Sequence, residues 1–410
     1  MIRDNYLNVS TLIKSPEVLE LFKIVTENGG VLRFVGGAVR DALKGIKGSD
    51  LNLVTDLSPE ELVEACSEAG INTIPLGIKQ GTIGVIIGDI QLEVSSLSKQ
   101  VEKDGISQIE FTDNWEADAS RRDLTINAVY ADEKGNVFDY YNGIEDLEKG
   151  YVRFIGSAQQ RIKEDYVRIL RYFRFYSLFG LEEPNTKAVE ACFENRSGLK
   201  NLPMERIRDE LFKIICTKNA PRTFRLMQKN NILEYILPDA QYIDDLEFFI
   251  KESDGYCFND EALIKMFILY RPNEALAENL AIRLKFSRRE KQLFVGLAKE
   301  KLNIDDLFNH TFLLKKIYEY DKDFVRAKIL TTAAETRNLS DKLWNIYYEI
   351  RNIPDIVFPL KGKDVLDKGV NNSQQVGIIL KELEKIWVDS GFSMSKEELL
   401  LNMDNLKDVI

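Results

Sequence analysis

The feature that most constrains this chain is a change of period near residue 156. Before it, short runs suited to β-strands alternate with runs of helical spacing. After it, strand signals almost vanish and apolar residues recur three and four apart to the end. The first part predicts a strand over 31–35, a turn at Gly36-Gly37 and a short helix ending near Leu43. It predicts a strand over 51–54 and a helix over 59–69 opened by Ser58. A hairpin is expected over 83–87 and 90–94, across Gly88-Asp89, with short strands at 137–138 and 152–154. Residues 97–118 are polar and charged without a clear period and are expected to form a mobile loop. Beyond the change, the clearest helices are expected at 161–179, 205–216, 220–230, 260–270 and 288–300. The fold class is therefore α+β: a mixed-sheet head followed by a long all-helical remainder.

Composition narrows the chemistry. The 410 residues allow about two to four domains. No apolar run approaches the roughly 20 residues that a membrane helix needs, and the N-terminus lacks the apolar core of a secretory signal. Cys66, Cys192, Cys216 and Cys257 show no paired spacing, which suits reduced, buried thiols in a cytoplasmic protein. His310 is the only histidine, which argues against a histidine-rich zinc site or a serine–histidine relay. The net charge of -11 does not advertise nucleic-acid binding, yet a local basic face would suffice for it.

Four segments carry chemistry. Gly36-Gly37-Ala38-Val39-Arg40-Asp41 follows a strand and opens a helix. Backbone N–H groups at Gly36 and Gly37 can approach a phosphate there, and Arg40 can add a charged contact. A strand-to-helix turn that simply needs glycine explains the same residues. Asp50-Leu51-Asn52 places two side chains on one face of a strand. Two carboxylates at that spacing could hold two magnesium ions, one activating an attacking hydroxyl and one steadying a triphosphate. The second position here is an amide, which offers an oxygen without charge. An Asx turn after Gly48-Ser49 is the alternative. Ser120-Arg121-Arg122-Asp123-Leu124-Thr125-Ile126-Asn127 supplies guanidiniums suited to triphosphate oxygens, with Asp123 and Asn127 able to read ribose hydroxyls. A capped surface helix with an ion pair is the other reading. In the helix expected over 164–174, Asp165, Arg168, Arg171 and Arg174 recur every third residue. An Asp–Arg pair can accept from the exocyclic amine of cytosine or adenine and donate to the neighbouring ring acceptor, rejecting uracil and guanine. A salt-bridged helix face has the same spacing.

In this order and spacing, the four segments resemble the class II tRNA nucleotidyltransferases, the CCA-adding enzymes, and their poly(A) polymerase relatives. Tyr141-Asn142-Gly143-Ile144-Glu145-Asp146-Leu147 with Val152-Arg153-Phe154-Ile155-Gly156 resembles the family's hinge region. Leu202-Pro203-Met204-Glu205-Arg206-Ile207 resembles its neck helix. Phe358-Pro359-Leu360-Lys361-Gly362-Lys363-Asp364 and Gln375-Val376-Gly377 resemble its tail. The resemblance implies a nucleotidyltransferase head at 1–150, a helical neck at 151–218, a body at 219–345 and a tail at 346–410. It implies Mg2+ at Asp50 and Asn52, CTP and ATP as substrates, and tRNA as the acceptor of C, C and A without a nucleic-acid template. Asp165 and Arg168 would read the incoming base, supported by Arg171 and Arg174, with Gly37, Arg40 and Arg122 against the nucleotide. The loop at 97–118 would be the family's flexible element, which helps the switch from C to A. Basic clusters at Arg283-Leu284-Lys285 and Arg288-Arg289 are candidates for tRNA contact, or for a solvated helix face.

The chain departs from the family pattern in four places. Asn52 stands where a second aspartate is usual, Gln80 where histidine is frequent, Ser98 near a usual arginine and Pro203 at a common serine. The first departure admits two other readings: a catalytically silent tRNA- or nucleotide-binding paralogue, and a poly(A) polymerase or partial enzyme adding only CC or only A.

Overall fold

The computed structural model describes residues 7–13, 15–46, 51–77, 81–103, 106–181, 183–370 and 372–407. Asp50 and Gln80 lie outside these residues. The chain forms two compact units, Met1–Pro238 and Asp239–Ile410.

The first unit is built on a mixed sheet, which confirms the α+β class. Its elements run in chain order as α1 (Pro16–Glu27), β1 (Leu32–Val35), α2 (Gly37–Leu43), β2 (Asn52–Thr55), α3 (Pro59–Glu68), β3 (Asn72–Gly77), β4 (Thr82–Ile87) and β5 (Ile90–Ser96). There follow β6 (Ser98–Lys103), β7 (Ile106–Phe111), α4 (Trp115–Ser120), β8 (Val129–Ala131), β9 (Val137–Asp139) and α5 (Gly143–Lys149). The sheet order is β3-β4-β5-β2-β1-β8-β9, antiparallel except where β2 pairs in parallel with β5. Side chains alternate across it with period two. Leu32, Phe34, Leu53, Leu92 and Val94 turn to one face and pack under α1 and α3 with Leu21, Phe22 and Leu62. Val35 and Val54 turn to the other face and join Leu97, Ala119 and Tyr130. Asn52, two residues before Val54, and Glu93, between Leu92 and Val94, therefore belong to this second face. Ser58 caps α3 as expected, in a reciprocal capping box with Glu61.

Three expectations of secondary structure are corrected. Residues 97–118 are not an unstructured loop: β6 and β7 pair antiparallel in a separate two-stranded sheet, and α4 follows. The sequence signal for a hairpin is Asp104-Gly105, a dipeptide of the kind that favours one. The strand expected at 152–154 is a single bridge between Leu124 and Phe154. The single helix expected over 161–179 is two, α6 (Ala158–Glu164) and α7 (Val167–Phe179). Asp165 has extended backbone between them, and its Oδ1 accepts from Val167 N at 3.1 Å. A short acid prefers this capping role to a helix interior.

The unit closes with α8 (Thr186–Asn195), α9 (Met204–Ile215), α10 (Ala220–Lys229) and α11 (Leu233–Ile236). The second unit is helical throughout its described residues. Its helix Lys322–Glu335 is buried from Phe324 to Ala334, so it needs no polar face. Cys66 and Cys192 are buried as expected, but Cys216 and Cys257 are exposed, contrary to expectation. No described helix is long and apolar enough to cross a membrane.

Candidate functional site

A cleft of about 1020 Å³ in the first unit is lined by the sheet's second face, the start of α2, the turn after α4, α7 and α9. It brings together Gly36, Gly37, Arg40, Asn52, Arg122, Asp123, Asn127, Asp165, Arg168, Arg171 and Arg174, which is every described residue expected from the sequence to hold metal or nucleotide; the basic candidates at 283–289 are not among its lining residues.

Each part has a local cause. Gly36 has φ 67° and ψ -124°, a conformation that side chains with a Cβ avoid, and it turns β1 sharply into α2. Arg40, one turn into α2, is buried and donates to Asn127 Oδ1 at 2.5 Å and to Asp41 at 2.7 Å. Asn127 Nδ2 donates to Asp123 Oδ1 at 3.1 Å, and Arg171 Nε donates to Asp123 Oδ2 at 2.6 Å. Four site residues thus form one chain, Arg40–Asn127–Asp123–Arg171, that joins α2 to α7. Burial alone would raise the Asp123 carboxyl, but Arg171 and the donors of Asn127 and Leu124 hold it below the usual range. Burial lowers the Arg40 and Arg174 guanidiniums from their ordinary value.

Asp165 and Arg168 are separately engaged. Arg206 on α9 grips Asp165 through both oxygens, at 2.7 and 3.2 Å. Arg168 pairs with Glu164 and donates to the carbonyl of Arg161 at 2.9 Å. Both side chains line the cleft with these supports in place.

Sequence reasoning missed much of α9. Arg174 Nη1 donates to Glu210 at 3.0 Å, and Lys213 lies 3.6 Å from the same oxygen. Arg206, Asp209, Glu210 and Lys213 recur at helical spacing and line the cleft, a pattern readable beside the buried Ile207, Leu211 and Ile214. Phe175 was missed too: Arg40, Arg171 and Arg174 lie over its ring at 4.9, 5.5 and 4.4 Å.

The lining cations are Arg40, Arg121, Arg122, Arg168, Arg171, Arg174, Arg206 and Lys213; the lining carboxylates are Glu93, Asp123, Asp165, Asp209 and Glu210. The cleft is net positive within an acidic chain, which draws a polyanion to it. Asn52 and Glu93 are register partners across β2 and β5, and both line the cleft with Ser95. The donor set there is all oxygen, an amide and a carboxylate, with Asp50 two residues before Asn52 in sequence. Oxygen ligands of this kind suit a hard dication that also takes water and phosphate oxygens. Among the described residues no group of three or more His, Cys, Asp or Glu could hold a metal ion, so such a set requires Asp50 or the substrate's phosphates.

Comparison with known proteins follows this geometry. The "Poly A polymerase head domain" matches residues 32–153, and the "Probable RNA and SrmB- binding site of polymerase A" matches residues 183–243. The mitochondrial CCA tRNA nucleotidyltransferase 1 of Homo sapiens is 34% identical over 403 residues, covering 95% of this chain and 92% of that protein. The fold is similar to the crystal structure of the Bacillus stearothermophilus CCA-adding enzyme in complex with CTP, with TM-score 0.79 at 21% identity over 96% of this chain and 98% of the other. It is also similar to the Thermotoga maritima CCA-adding enzyme complexed with tRNA, with TM-score 0.65 at 19% identity over the whole of both chains.

Proposed function

The chain belongs to the CCA-adding tRNA nucleotidyltransferase family, and from that premise we propose that it adds C, C and A to the 3′ end of tRNA from CTP and ATP without a nucleic-acid template. The observation that carries this reading is the cleft, where glycine turn, arginines and oxygen donors converge on one polyanion-sized space. In the proposal, Arg40, Arg122, Arg171 and Arg174 neutralise the triphosphate, and Gly36 and Gly37 let the backbone approach it. Asp123 and Asn127 sit beside these arginines to meet the ribose and keep their charges in place. Asp165 and Arg168 present an acceptor and a donor to the base edge, held from behind by Arg206 and Glu164.

Asp50 and Asn52 would hold Mg2+, with Glu93 restoring the negative charge that Asn52 lacks. The metal, when bound, lowers the pKa of the attacking 3′ hydroxyl and stabilises charge on the leaving pyrophosphate. The body at 219–345 and tail at 346–410 would hold the tRNA by shape and phosphates. Of the basic candidates there, Arg289 is already paired with Asp260 at 2.7 and 2.8 Å. Cys66, Cys192 and Cys257 are free thiols, which supports a cytoplasmic, reducing location.

Primer extension on tRNA lacking its 3′ end, with CTP and ATP separately and together, tests the reading. Addition of C, C and A by the native chain is the expected result. The amide at Asn52 favours one second reading, a silent paralogue that binds without transfer. Product from Asn52→Asp but none from the native chain would establish it.

A further inference from the structure

Asp118 was not singled out by any motif, yet it is the most heavily engaged carboxylate beside the cleft. It sits in the last turn of α4 and is fully buried. Its Oδ1 accepts from the backbone N–H of Ser98 at 3.2 Å and from Arg121 Nε at 2.9 Å. Its Oδ2 accepts from Tyr130 OH at 2.8 Å and from Arg122 Nε and Nη2 at 3.2 and 3.0 Å. Tyr130 OH in turn accepts from Arg122 Nε at 3.1 Å, closing a ring of three side chains. A guanidinium held through Nε and Nη2 has its plane fixed and its remaining nitrogen aimed. In Arg122 that nitrogen, Nη1, lies 3.7 Å from where a Cβ on Gly36 would stand, at the turn that opens the cleft. The same carboxylate reaches the root of the β6–β7 hairpin: Ser98 gives its N–H to Asp118 and its carbonyl oxygen accepts from Arg121 Nε at 2.9 Å.

One carboxylate shared by two arginines leaves the group with a surplus positive charge, so it can orient Arg122 without cancelling its attraction for an anion. Burial opposes ionisation, but Arg122, Arg121 and the Tyr130 hydroxyl hold the Asp118 carboxyl below the usual range, so it is charged where the protein works.

We propose that Asp118 is a positioning residue for nucleotide binding: it aims Arg122 at the glycine turn and fastens the hairpin root to the same carboxylate. The proposal rests on the reading that Arg122 contacts the nucleotide. Asp118 touches no substrate itself, so its effect must pass through Arg122, and that dependence is measurable.

The test is a double-mutant cycle read as affinity for the α,β-methylene analogue of CTP, by calorimetry on the full chain with Mg2+ and without tRNA. Melting curves fix an assay temperature at which every variant is folded. Arg122→Ala is expected to weaken binding at least tenfold, and Asp118→Asn about tenfold. The double variant is expected to match Arg122→Ala within about twofold, because a support has nothing left to orient. Losses that multiply in the double variant would overturn the proposal, as would parent-like binding by Asp118→Asn. Parent-like binding by Arg122→Ala would instead show that the underlying reading of the cleft is wrong, and the proposal falls with it. Should Asp118→Asn melt below the assay temperature, Tyr130→Phe replaces it, since it removes one donor from Oδ2 and leaves every charge. A loss of two- to threefold that disappears on the Arg122→Ala background supports the proposal; no loss, or an additive one, overturns it.

Discussion

Glu210 shows how single side chains set the character of the cleft. It is buried against Arg174, whose guanidinium is also largely buried, and among the described residues no other carboxylate is paired with that arginine. Removing one partner of a buried ion pair leaves the other charge uncompensated, which costs about 3 kcal/mol or more. Glu210→Gln should therefore lower unfolding stability by about 3 kcal/mol, as measured by urea denaturation. A change under about 1 kcal/mol would mean that solvent already screens Arg174. Arg168 makes a different case. Its partner Glu164 also pairs with Arg161 at 3.0 Å, so that carboxylate keeps a cation when Arg168 is removed. Arg168→Ala should leave stability within about 1 kcal/mol, yet relax the preference for C and A over U and G by about tenfold. Misincorporation assays with all four nucleotides would measure this, and an unchanged preference would remove Arg168 from base reading.

At the scale of elements, legibility followed the strength of local signals. The glycine turn into α2, the Ser58 cap and the β4–β5 hairpin carry their geometry in a few adjacent residues, and each was readable. The break between α6 and α7 was not, because apolar spacing continues across it. Only the third dimension shows Asp165 turning out of helical backbone to meet Arg206. The cleft was legible where a motif named its residues; the charged face of α9 was readable by its spacing, but the pairing of Glu210 with Arg174, 36 positions away, and of Asp118 with Tyr130 and Ser98, 12 and 20 away, exists only in the fold. The β6–β7 hairpin lacked the alternation of a half-buried strand, and among its described side chains Ile109 and Phe111 are 46% and 42% exposed. Two strands alone are marginally stable in water. We expect the amides of β6 and β7 beyond Ser98 to exchange with deuterium at least about a hundredfold faster than those of β1, β2 and β5, because local opening there costs far less than global unfolding. Comparable protection in native-state exchange would show that something covers the hairpin.

For the molecule as a whole, acid is the condition that separates the ionic framework of the first unit from its apolar core. Asp118 and Asp123 both have carboxyls held below the usual range, each by arginines against the opposing effect of burial. A group whose folded pKa is depressed contributes stability above its unfolded value, about 3.9 for aspartate, and loses it as pH falls through the folded value. The contribution should be complete at neutral pH, begin to fade below about pH 4 and vanish only in stronger acid. Asp118→Asn has no such proton to take up. It should be less stable than the parent at pH 7, with a flatter decline below pH 4, so the two curves converge in acid. Trp115 lies in the first unit, whereas Trp344 and Trp387 lie in the second. Fluorine resonances from 5-fluorotryptophan can therefore follow unfolding of the first unit separately during denaturation at stepped pH. Parallel acid limbs for parent and variant would mean that Asp118 is already protonated in the folded state. The arginines at the cleft would then owe their placement to packing and neutral hydrogen bonds instead of to a buried charge.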